Sequence, residues 1–185
     1  MHETRKLVLL SLLVALAIVL RGIEEVIPSP LPWVRVGLAN IMTLLAMLLF
    51  GVKAGLLVTG LRVFIASLLF GTFLSPTFML SFTAGIMSTV VMGISTRYFH
   101  KAFSPIGTSV LGGFTHNLVQ LLVAYLLIVK HFQIFYLFPV LGLIGIASGF
   151  FNGWVVVFLY RQITSQMQYL LPQPPKENHK KTCLK

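Results

Sequence analysis

The stretch LVLLSLLVALAIVL, residues 7–20, decides the fold. Ser11 is its one polar residue, and Arg5 and Lys6 stand before it, with Arg21 behind. The apolar run reaches about residue 27, long enough for a helix to cross a hydrocarbon core of ~30 Å. Ala15-Leu16-Ala17 imitates the cleavage site of a signal peptide, but the run continues apolar through Ile18, Val19 and Leu20, which favours a retained first helix.

Working outward, five more apolar blocks follow, at about 36–52, 54–74, 77–96, 106–130 and 136–161, separated by short breaks of Pro, Gly or charge. The first break, Pro28-Ser29-Pro30-Leu31-Pro32-Trp33, cannot be helical, because three prolines remove donors and force extended backbone. Trp33 suits an interfacial anchor. The second block is short: Gly37 to Gly51 gives about 22 Å of helix, so this segment is tilted, buried or joined to the third.

Composition agrees. Hydrophobic residues make up 57% of the 185, charged residues 10%, and mean hydropathy is +0.92, whereas soluble domains are roughly a quarter charged. Lipid offers backbone amides no partners, so the spans are helices; a β-barrel would alternate apolar and polar residues, and no such alternation is present. The expected fold is an all-α integral membrane protein, a six-transmembrane-helix bundle over residues 1–165.

The net charge of +10 lies in short loops and at the ends, as orientation signals do, and not in a nucleic-acid surface. With the N-terminus inside, that side collects Arg5, Lys6, Lys53, Arg97, Lys101, Arg161, Lys176, Lys180, Lys181 and Lys185. The outside keeps Arg21, Arg35 and Lys130. An N-in/C-in topology follows. Residues 166–185 form a basic, Pro-rich cytoplasmic tail with no core to join, expected to be disordered near anionic headgroups.

Ser81, Gly85, Thr89 and Gly93 on the fourth span, and Gly145, Gly149 and Gly153 on the sixth, form ridges of small residues at four-residue spacing. Such ridges let helices approach closely, within this bundle or against a separate membrane partner.

Several chemistries are excluded. The chain has no aspartate, so paired aspartates cannot hold Mg²⁺ on a diphosphate. Cys183 is the sole cysteine, which rules out an internal disulfide or a Cys-based zinc site, and only two residues follow it, too few for prenylation. No Walker loop, HExxH or GxSxG is present. No catalytic residue, metal or cofactor is expected.

The candidate site rests on polar residues at membrane depth. Arg62 lies nine residues beyond Lys53, about 13.5 Å along a helix and near the midplane, where an arginine is costly unless it faces a cavity or a partner. His116, Asn117 and Gln120 begin near the same depth on the fifth span, and i, i+3 and i+4 spacing gathers them on one side. Solute binding and interhelical hydrogen bonding are both open for them. Nearer the outer surface, Arg21 has ion-pair spacing to Glu24 or Glu25, while Arg35 and Asn40 flank the proline-rich loop. Asn152, between glycines of its ridge, is expected to bond a neighbouring helix.

Ile23-Glu24 through Ile27-Pro28, Gly37-Leu38-Ala39-Asn40-Ile41, Arg62 with Leu68-Leu69-Phe70-Gly71, and His116-Asn117 with Gln120 together resemble the bacterial Gx transporter family, also catalogued as heptaprenyl diphosphate synthase component I. The resemblance runs to about residue 161. It departs at Gly113-Phe114-Thr115, where smaller residues are expected before His116, and at Glu25 beside Glu24. It implies a multi-pass protein of the bacterial cytoplasmic membrane, similar to substrate-binding components of energy-coupling factor transporters. Such components take up a small solute and depend on a separate permease and ATPases for energy. The enzyme name implies instead a noncatalytic membrane partner of a soluble prenyl synthase subunit. On the first reading Arg62 and His116 anchor a small anionic or polar solute, Asn40, Asn117 and Gln120 orient it, and Glu24 and Arg35 guard the outer mouth.

Overall fold

The computed structural model describes residues 2–26, 37–99 and 103–170. Within them run six α-helices: α1 (His2–Val26), α2 (Ala39–Phe50), α3 (Val52–Leu69), α4 (Pro76–Tyr98), α5 (Pro105–Ala124) and α6 (Phe138–Leu170). Five segments are long and apolar enough to cross a membrane, one built on each helix except α2. At 12 residues α2 extends only about 18 Å. It is also the most enclosed helix, with every residue from Ala39 to Met47 buried, and it packs on α1, α3, α4 and α6. Of the three possibilities left by its length, burial is the one observed.

The boundaries have local causes. Ser75 and Ser104 each precede a proline and accept a hydrogen bond from the N–H three residues on, Phe78 at 3.3 Å and Gly107 at 3.2 Å. That satisfies an orphan donor where proline, having none, sits comfortably in the first turn. Gly51, at φ +88°, folds α3 back on α2 with no other linking residue. The third span, expected to reach residue 74, ends at Leu69 because Gly71 turns at φ +65°. After Ala124, α5 widens into a π turn, Tyr125–Val129, closed by Lys130 in the left-handed region; a 3₁₀ segment, Phe132–Leu137, leads into α6. The last helix runs to Leu170, so residues 166–170, expected in the tail, are helical. The remainder of that tail lies outside the described residues, as does the proline-rich loop with Trp33 and Arg35.

α5 and α6 run antiparallel, as do α3 and α4, and small residues hold each pair close. A Cβ on Gly113 would lie 2.4 Å from the carbonyl oxygen of Gly145; on Gly149, 2.7 Å from Cα of Val110; on Gly153, 2.7 Å from Cα of Ile106. The ridge on α6 is therefore spent inside the bundle, against α5. The ridge on α4 meets α3, where Gly85 faces Thr59 and Gly93 faces Val52.

Polarity is distributed inside out. Thr43, Thr59, Ser88 and Thr89 are fully buried, whereas Leu12, Leu16, Val19 and Ile23 form an exposed stripe on α1. In water such a surface would aggregate; against lipid tails it has nothing to hide from.

Candidate functional site

The site is built around the start of α2. Gly37, at φ +76°, turns the chain into that helix, and three other helices grip the turn. From α1, Glu24 accepts hydrogen bonds from the backbone N–H groups of Leu38 and Gly37. From α6, the Asn152 amide donates to the Gly37 carbonyl at 3.0 Å. From α3, Arg62 donates through Nη2 to Asn40 Oδ1 at 2.6 Å. Helix N-termini carry unsatisfied donors and partial positive charge, so a carboxylate supplied by a neighbouring helix is the chemically expected cap. Arg21 stands 3.8 Å from the same carboxylate.

Beside this junction opens a pocket lined by the end of α1 (Arg21, Glu24, Glu25), Gly37 and Asn40, α3 (Arg62, Ala66, Ser67, Phe70), the following turn and the start of α4 (Thr72, Thr77, Phe78, Ser81), and His116 of α5. The space open to water within it is about 50 Å³, room for roughly four waters at ~10–15 Å³ each. Arg62 is buried, and its hydrogen bond to Asn40 is its sole polar contact among the described residues; Nε has none. No carboxylate lies within 4 Å of it among those residues. A buried guanidinium held by one neutral amide keeps donors and charge available for an anion. His116 likewise holds a buried Nδ1 without a partner, although its ring lies against the Ala84 backbone.

A second space of about 10 Å³, the size of one water, lies across the same turn between Gly37, Asn40, His116, Asn117, Ser148 and Asn152. Gly37, Asn40 and His116 line both chambers.

The residues singled out in the sequence thus divide. Glu24, Asn40, Arg62 and His116 converge on the main pocket. The expected cluster of His116, Asn117 and Gln120 is only partly kept: His116 alone lines the main pocket, Asn117 joins it in the second chamber while donating to the Leu141 carbonyl at 2.8 Å, and Gln120, though buried, lines neither. The physical reason is the ~100° step between successive helical residues, which points His116 toward α4 and Asn117 toward α6. Arg35 lies outside the described residues. Ser67, Thr72, Thr77, Ser81 and the walls Phe70 and Phe78 join the pocket without having been expected. Hydroxyls and phenylalanines are common in apolar spans, and the one spacing that marks any of them, Ser81 in the small-residue ridge, points to helix packing. Arg21, expected in a local pair with Glu24 or Glu25, pairs with Glu24, and both Arg21 and Glu25 line the pocket as well. Among the described residues no cluster of His, Cys, Asp and Glu could hold a metal ion.

Apolar helices outside, hydrogen-bonded polar groups inside and a pocket opening between helix ends define a multi-pass membrane protein with an internal polar pocket. The same fold is found in a solved structure described as "Structure and mechanism of the S component of a bacterial ECF transporter", which is 21% identical. That match covers 90% of this chain and 99% of the other, with a TM-score of 0.68. The chain belongs to the family described as heptaprenyl diphosphate synthase component I, whose model matches residues 13–159. Among curated proteins, none matches.

Proposed function

We propose that this protein is a solute-binding membrane component of the S-component kind, taking a small anionic or polar solute into the pocket beside α2. The observation that carries this reading is Arg62: a buried cation with no carboxylate within 4 Å among the described residues, facing the pocket and hydrogen-bonded there only to Asn40, with Glu24 acting on it from farther off. Such a group is expensive in a membrane unless something completes it, and a solute anion does so. The likeness in fold to an S component supports the same reading.

The Lys/Arg distribution supports termini on the cytoplasmic side, which turns the pocket, at the face opposite the termini, outward. The pocket then receives solute from outside, and any work of transport is supplied by ions or by a separate energising module, the latter in keeping with the S-component likeness. Arg62 and His116 contact the solute, Asn40 holds the guanidinium in its plane, and Glu24 sets the α2 turn. Asn117 and Gln120 support the fold around them. The test is a thermal-shift screen of purified protein against a broad solute library. A hit whose binding disappears in Arg62→Ala is expected; hits that survive that substitution would remove the assignment.

A noncatalytic place beside a soluble prenyl synthase is supported by the family description alone. Normal quinone chain length in a deletion strain would dispose of it.

A further inference from the structure

We infer that the solute is a small monocarboxylate carried on a flat apolar body, and not a diphosphate or other polyanion. The inference rests on the solute-binding reading and deepens it.

Charge comes first. Two arginines, Arg21 and Arg62, and two glutamates, Glu24 and Glu25, line the pocket, so their formal charges cancel. Glu24 stands beside Arg21 and acts on Arg62 as well, so the pocket takes little added negative charge, and a single charge set on the open donors of Arg62 adds the least. A diphosphate, with about three charges, would bring the excess against two carboxylates, and like charges so placed oppose binding.

Shape comes second. Asn40 holds one edge of the Arg62 guanidinium at 2.6 Å, and the buried Nε still lacks an acceptor. A planar fork with donors to spare pairs best with the two oxygens of a carboxylate.

The apolar wall comes third. Phe70 reaches from the end of α3 across to α1, its Cζ 3.5 Å from the position a Cβ on Gly22 would take. Phe78 is braced by Phe73, the ring centroids 5.3 Å apart. Both rings line the pocket that contains the guanidinium. With room for only about four waters, the carboxylate occupies the enclosed end, and the flat body lies between the phenyl groups toward the mouth.

The experiment is calorimetric titration of the detergent-purified full chain with benzoate, benzamide, hexanoate and inorganic pyrophosphate. Benzoate should bind saturably and pyrophosphate should not. Benzamide, with the same ring and no charge, should bind at least about tenfold more weakly, the value of one charged hydrogen bond. Arg62→Lys should weaken benzoate by a similar factor, because an ammonium cannot bridge both oxygens. Phe70→Leu should weaken benzoate more than hexanoate, which keeps the test valid should Arg62→Ala fail to fold. Arg62-dependent binding of pyrophosphate, or benzamide equal to benzoate, overturns the ligand class and leaves solute binding standing. So does a library in which only solutes without a carboxylate bind. A library with no binder at all removes both.

Discussion

Arg62 and the threonines below it use polarity in two different ways. Arg62 keeps donors open toward a pocket, whereas Thr43, Thr59 and Thr89 close on one another at 3.0 and 2.9 Å and tie together α2, α3 and α4. Thr89 donates to the Gly85 carbonyl at 2.8 Å, so its oxygen accepts from Thr59, which in turn accepts from Thr43. The chain of hydroxyls is fully satisfied and therefore structural. Thr59→Val should lower stability by about 1 kcal/mol, in the range found for hydrogen bonds between membrane helices, and leave solute binding unchanged. Unfolding in mixed micelles and a binding titration check the two halves, and a binding loss without a stability loss would contradict the assignment. Arg62 was legible in the sequence, because an isolated arginine at membrane depth has few cheap explanations. The threonine chain was not, since a threonine in an apolar span can always bond its own helix. His116 was legible as polar at depth, but not that it reaches the main pocket while Asn117 stops at the second chamber, which depends on where α4 and α6 stand.

The elements show where a pattern of small residues becomes contact. The ridge Gly145, Gly149 and Gly153 was visible from spacing, and the structure gives it a partner, α5, approached so closely that backbone meets backbone. Gly113→Ala would place a methyl 2.4 Å from the Gly145 carbonyl oxygen. Backbone cannot yield as a flexible side chain does, so α5 and α6 must separate and lose packing along their length. A loss of about 2 kcal/mol or more is expected, in the range of overpacked cores. Gly60, in the middle of α3, has nothing within 4 Å of its Cβ position. There alanine should be neutral or stabilising by up to about 1 kcal/mol, through helix propensity. Apparent melting temperatures of the two variants in one detergent decide the matter, and equal shifts would mean that the α5–α6 approach is not maintained. The helix starts at Ser75-Pro76 and Ser104-Pro105 are readable from chemistry alone. The interior position of α2 is readable only as a length too short to span, because burial from all sides is a property of its neighbours.

At the scale of the whole molecule, one short helix organises the site. α2 begins at the face opposite the termini, is capped there by α1, held by α3 and α6, and buried along most of its length. The pocket is the space left where the ends of α1, α3 and α4 gather around that start. The function proposed for it depends on which side of the membrane this face meets, and a lone native cysteine makes the question approachable. In a Cys183→Ser background, His131→Cys places a thiol on the connection between α5 and α6, at the pocket's face, where the native residue is exposed. Ser165→Cys places one near the far end of α6, also at an exposed position. If the basic ends are cytoplasmic, as the charge distribution favours, a membrane-impermeant maleimide applied to intact cells should label the first variant and spare the second, and permeabilised cells should label both. The reverse pattern would turn the pocket to the cytoplasm. Arg62 would then meet solutes leaving the cell, and uptake from outside would no longer describe the protein.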